Sequence, residues 1–146
     1  MFVVLAFTVW AVTATAFTGY YYLQYRQLED TLKTMQSLVL KVNVLVNYGN
    51  GTKEWHNNTL VPAGSTVFNA TVAIAEVDYS LWNEYVLIDA INGLQGTKDI
   101  GWIWWIWDPP TSEWKQVLEA ANKHVLVEGD TIGWNYQSWA STEPPS

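Results

Sequence analysis

The chain has no cysteine, and its 146 residues hold only 7 lysines and arginines against 14 acids, a formal charge of -7. Any folded domain must therefore hold without disulfides, and the absence of thiols alone leaves the redox compartment open. The few cations are scattered singly. Phosphate backbones are bound by clustered positive charge, so nucleic acid is excluded as a partner. His56 and His124 stand alone, without the paired spacing of a metal site, and neither a nucleophile elbow nor a phosphate loop is present. We expect no enzyme, no metal and no cofactor. The short acidic pairs Glu76/Asp78 and Glu128/Asp130 read as charged, solvated turns.

Two further absences shape the N-terminus: residues 1–40 contain no proline, and residues 1–25 contain no charged side chain. About 20 apolar residues suffice to cross a bilayer as a helix. Ala14-Thr15-Ala16 resembles a signal-cleavage site, but the basic flank of a secretory signal is missing. Beyond this stretch Tyr21, Tyr25, Leu28, Leu32, Met35 and Val39 recur at spacings of four and three, with polar residues between them. We expect one helix over residues 1–40, of roughly 60 Å at 1.5 Å per residue. It is apolar all round in its first half and one-sided in its second. Ala11, Thr15 and Gly19 form a ladder of small side chains that lets helices approach closely.

After Leu40 the period changes from helical to alternating, so a second domain is expected over residues 41–146. Val42, Val44 and Val46 share one side of a strand that turns at Gly49-Asn50-Gly51 into a second strand ending near Pro62. Gly64-Ser65 offers a helix cap, and Val67, Thr71, Ile74 and Ala75 give a helical face. Residues 78–82 read as a connection and residues 84–93 as a third strand closing on Asn92-Gly93. Residues 101–107 read as a fourth, and residues 123–139 as two more joined at Glu128-Gly129-Asp130. Residues 112–122 suit a short helix, and the last six residues, Ser-Thr-Glu-Pro-Pro-Ser, a frayed tail.

The ordered series Tyr48-Gly-Asn-Gly51, Pro62-Ala-Gly-Ser-Thr-Val67, Ile91-Asn-Gly93, Trp102 to Trp107 and Gly129-Asp-x-Ile-x-Trp134 resembles the transcobalamin C-terminal-like domain. The resemblance spans about residues 42–139. It implies an α+β chain in which the long helix precedes a small β-grasp-like, β-rich head with one core helix. Asp108-Pro109-Pro110 stands where that family usually has Asn-Gly, followed here by a longer insert. The resemblance thus speaks for the fold more than for cobalamin binding.

Residues 102–107 put four tryptophans into six positions. In a strand Trp102, Trp104 and Ile106 face one way and Ile103, Trp105 and Trp107 the other, so both faces are apolar. One face is expected to meet the core helix. The other needs cover from the insert, from the helix seam or from a neighbouring subunit, because exposed apolar patches of several hundred Å² mark interaction sites. Trp105 and Trp107, beside Asp108, are the expected partner-facing pair. A sugar-stacking platform fits the alternating isoleucines less well. Three N-x-S/T sequons, Asn50, Asn57 and Asn69, all fall in the second domain, which suits an exported, glycosylated head.

Two functions follow. The helix resembles that of archaeal-type type IV pilins, which lack the acid at position 5 of bacterial pilins. This implies self-association into an extracellular helical homopolymer, after residence in the membrane, with the helix in the core and the head outward. The alternative is an N-terminally anchored surface protein whose head takes a small, cobalamin-like ligand or a protein partner beside the tryptophan strand.

Overall fold

A computed structural model describes residues 2–145, with side chains from residue 13 onward. The chain is α+β and divides into two compact units, Met1–Leu38 and Val39–Ser146. The first is one helix, α1 (Phe2–Ser37), about 54 Å long at 1.5 Å per residue. Every described side chain in it is exposed, including the seam residues Tyr21, Tyr25, Leu28, Leu32 and Met35. Its hydroxyls turn inward on the helix itself: Thr18 donates to the Ala14 carbonyl (2.8 Å), Thr31 to Gln27 (2.7 Å) and Thr34 to Asp30 (2.8 Å). Among the described residues no helix is long and apolar enough to cross a membrane.

The second unit begins with the hairpin β1 (Val39–Asn47) and β2 (Lys53–Pro62), followed by α2 (Val67–Ile74). Next come β3 (Val77–Trp82), β4 (Tyr85–Ile91) and β5 (Leu94–Gln95). The chain ends with β6 (Ile100–Asp108), β7 (Glu113–Gln116) and β8 (Thr131–Ser138). Five strands form one sheet in the order β2-β1-β8-β6-β7, and three form a second in the order β3-β4-β5. In the larger sheet β1 and β8 run parallel at the centre, and every other neighbouring pair is antiparallel. Val42, Val44 and Val46 of β1, Ile132 and Trp134 of β8, and Trp102 and Trp104 of β6 project from one face. They pack with Val67 and Ala70 of α2 and with Leu126 into the core.

The α2 cap is Thr66, where Ser65 was expected. Thr66 and Asn69 complete a capping box, with the Asn69 amide donating to Thr66 Oγ1 (3.4 Å) and the Thr66 amide to Asn69 Oδ1 (2.9 Å). Residues 78–82, expected as a connection, are strand. Asn83 takes a left-handed turn (φ 56°) that brings β3 back on β4 with Trp82 opposite Tyr85. The expected helix at 112–122 is instead β7 followed by irregular chain. Pairing of Trp114 with Trp107 and of Glu113 with Asp108 holds the segment extended, and an ion pair from Lys115 to Asp108 closes the hairpin. Residues 123–127 make a single bridge, Val125 to Thr66, in place of a strand. Nor is the C-terminal segment frayed, since Pro145 is fully buried.

Candidate functional site

The alternation of β6 builds two tryptophan surfaces of opposite character. On the core side the indole N–H of Trp102 donates to the Leu94 carbonyl (2.9 Å), that of Trp104 to Glu119 (2.8 Å), and that of Trp134 on β8 to Thr71 Oγ1 (2.7 Å). Each buried donor is thus satisfied, and the rings are locked in place. Tyr48 and Tyr136 pack against Trp102 with ring centroids 5.8 and 5.1 Å away. The Tyr48 hydroxyl accepts from Asn92 Nδ2 (2.7 Å). Burial raises its pKa above the ordinary value, against the hydrogen bond from Asn92.

The rings of Trp102, Trp104 and Trp134 floor a cleft of about 1090 Å³ between the two sheets. Trp82, Tyr85, Leu118 and Trp139 form its apolar rim, and Leu118 is 93% exposed. At the rim Lys123 meets Glu84 at 3.2 Å and lies over the Tyr85 ring, and Asp89 in the lining accepts from Ser80 Oγ (3.1 Å). The cleft offers aromatic faces with the Asp89 carboxylate and the Gln95 side-chain amide among them. Among the described residues no three metal-ligating side chains come together.

On the opposite face the chain itself buries Trp105, against the expectation that it faces a partner, and leaves Trp107 half-buried. Trp105 is 4% exposed and pairs across the sheet with Gly133 of β8. A Cβ at Gly133 would stand 2.9 Å from Pro145 Cγ and 3.1 Å from the Trp114 ring, so both side chains sit in the notch that glycine leaves. Trp107 meets Trp114 edge to face at 5.5 Å and is half-buried, while Trp55 of β2 lies 6.5 Å from Trp114 and is 49% exposed. One polar atom is left over on this face: the buried Trp105 Nε1 has no hydrogen-bond partner among the described residues.

Of the assembly residues, Thr15, Gly19, Tyr21, Tyr25, Leu28, Leu32 and Met35 lie exposed on α1, and the Ala11 side chain is outside those described. Trp102 and Trp104 belong to the cleft and Trp105 to the covered face. The three sequons differ in setting. Asn50 sits in the β1–β2 turn, its Oδ1 accepting the Thr52 amide (2.9 Å). Asn57 is exposed on edge strand β2, at a bulge where Asn58 is left-handed (φ 54°). Asn69 is the third residue of α2, its side chain completing the capping box with Thr66, and its sequon threonine, Thr71, is fully buried. Residues that sequence reasoning passed over include Trp55, Trp114, Gly133 and Pro145. The only advance signal was their residue type, since their meeting depends on pairings far apart in the chain. No family model matches the chain, and no curated protein matches it in sequence.

Proposed function

We propose that the chain is the structural subunit of an extracellular type IV pilus-like filament, with α1 in the filament core and the β-rich unit outward. One observation carries this reading: a 36-residue helix whose described side chains are all exposed, aromatic and aliphatic seam included, alongside a unit whose core cluster, among the described residues, draws on 39–146 alone. Association of identical helices would remove that seam from water, at about 25 cal/mol per Å² of apolar surface buried. A β-grasp-like head related to the transcobalamin C-terminal-like domain is part of the proposal. Supporting it are the mixed five-stranded sheet, the central parallel pairing of its first and last strands, and a core helix after the first hairpin.

Electron microscopy of the purified full chain tests the reading. Filaments are expected, and Ala11→Asp abolishes them, because a charge in an apolar helix core has neither water nor partner. Detergent-bound monomers alone, at concentrations where pilins assemble, would overturn it. The cleft of about 1090 Å³ favours a second reading, an anchored surface protein that takes a ligand between its two sheets. On that reading, deleting residues 1–24 releases a binding-competent head, and no fibre forms with or without the deletion.

A further inference from the structure

The cleft between the sheets selects by charge as well as by shape. Trp82, Tyr85, Leu118 and Trp139 are all exposed at its mouth, and the Trp82 and Tyr85 rings form a pair 6.2 Å apart with 32° between their planes. Apolar side chains gathered around a concavity of about 1090 Å³ suit a ligand with an apolar body, since pockets for drug-sized molecules measure about 300–1,000 Å³. A bare inorganic ion would leave most of it empty. Four indoles of the lining spend their N–H groups within the chain: Trp102 on the Leu94 carbonyl, Trp104 on Glu119, Trp134 on Thr71 and Trp139 on the Thr97 carbonyl (3.3 Å). What they offer a ligand is ring surface.

The charged groups tip the same way. The lining holds three carboxylates, Glu84, Asp89 and Glu119, and one ammonium, Lys123. Glu119 lies 3.1 Å from His124 Nδ1, and Ser80 Oγ donates to Asp89 Oδ1 (3.1 Å), while no donor among the described residues engages Asp89 Oδ2. Lys123 shows how a cation sits in such walls, because its ammonium lies 5.4 Å from the centre of the Tyr85 ring and 3.2 Å from Glu84. Electron-rich ring faces and carboxylates both attract positive charge, more strongly where water is excluded. We propose that the cleft takes an organic cation, an ammonium or iminium group on an apolar body, with Asp89 meeting the charge and Trp82 the body. An anion would face the three carboxylates, and a sugar needs donors along its hydroxyls that the four indoles no longer supply. The inference rests on the cleft being a ligand site, and it holds whether α1 polymerises or anchors the chain.

Two fluorescent probes of similar size test it on the full chain. Berberine is a planar quaternary cation, 8-anilinonaphthalene-1-sulfonate is an aromatic anion, and both brighten on leaving water for an apolar site. Berberine should bind, and the sulfonate roughly tenfold more weakly. Asp89→Asn keeps an acceptor for Ser80 but loses the charge, and should weaken berberine roughly tenfold, as loss of a charge-assisted contact does. Trp82→Ala on the exposed rim should weaken it about fivefold. Lys123→Gln removes the competing ammonium and should tighten it about threefold; weakening there would overturn the proposal. Glu113→Gln, an equal loss of charge on β7 outside the lining, should change little. If it weakens berberine as much as Asp89→Asn does, binding follows the overall charge of -7 and the proposal fails. A sulfonate that binds as tightly as berberine and is lost in Trp82→Ala would overturn the cation and leave the cleft a ligand site. Binding of neither probe would overturn both. Near-ultraviolet circular dichroism checks the tryptophan core of each variant, and Glu119→Gln, expected to weaken berberine as well, replaces Asp89→Asn if that variant unfolds.

Discussion

Removing one hydroxyl from the core should cost this protein a large part of its stability, and most of that effect should vanish when the indole donor it accepts from is removed as well. Thr71 and Trp134 are 0% and 2% exposed, and the indole N–H of Trp134 donates to Thr71 Oγ1 at 2.7 Å. The same hydroxyl donates to the Val67 carbonyl (2.7 Å), so it joins the central strand β8 to the helix above it. Thr71→Val keeps the branched shape but leaves a buried donor without an acceptor, a loss of about 1–3 kcal/mol. At about 4–8 °C per kcal/mol for a domain of this size, the midpoint should fall by roughly 4–24 °C. Thr71→Ser keeps the bond and loses a methyl group, at about 1 kcal/mol. Trp134→Phe removes the donor, and Thr71→Val should then add little further cost, giving a coupling of about 1–2 kcal/mol in the double-mutant cycle. Urea unfolding of the four chains of the cycle, followed by tryptophan near-ultraviolet circular dichroism, measures it. If Thr71→Val costs as much in the Trp134→Phe background as in the native chain, the hydrogen bond is not what holds β8 to α2.

Three other outcomes are expected. Glycopeptide mapping of material from the native source should find sugar on Asn50 and Asn57 and none on Asn69, whose sequon threonine is buried; occupancy at Asn69 above that at Asn50 would refute this reading. Trp105→Ala should lower stability by about 3–5 kcal/mol, as large core truncations do, whereas Trp55→Ala on the half-exposed edge should cost far less; equal losses in urea unfolding would contradict the burial difference. The hydrogen bond from Lys115, then that from Thr111, holds the Asp108 carboxyl below its ordinary value of 3.8. A depressed folded pKa contributes stability fully above 3.8 and loses it as pH falls through the folded value. The Asp108 carboxyl carbon resonance should therefore titrate below 3.8, and Lys115→Ala should raise that midpoint.

How much of this was legible beforehand follows the range of the forces involved. The helix and the first hairpin rest on local signals: a proline-free, charge-free opening, the alternation of Val42, Val44 and Val46, and the turn at Gly49-Asn50-Gly51. Strand β3 escaped because its closing turn uses Asn83 in a left-handed conformation, with no glycine to announce it. Strand β7 escaped because "SEWKQVLEAAN" has fair helix propensity, which the cross-strand pairs Trp107–Trp114 and Asp108–Glu113 override. For the candidate site, the two-faced tryptophan strand was readable from its spacing, and the insert carrying Trp114 was one of the covers weighed, but the part played by Pro145 was not legible. A buried proline seated where a side chain is missing leaves no pattern in either segment: Gly133 reads as a weak strand residue and Pro145 as tail.

The placement of β1 has a mechanical consequence. It begins at Val39, directly after the helix ends at Ser37, and runs up the middle of the sheet between β2 and β8. Any pull on the helix therefore enters the head through an inner strand. Because β1 and β8 are parallel, with Asn43 to Asn47 beside Thr131 to Asn135, a pull toward the start of β1 against a hold at the end of β8 slides the two strands lengthwise. Sliding strains all the hydrogen bonds of that ladder together, where peeling an edge strand would break them one after another. A chain pulled by its helix is gripped along the direction in which a sheet yields last.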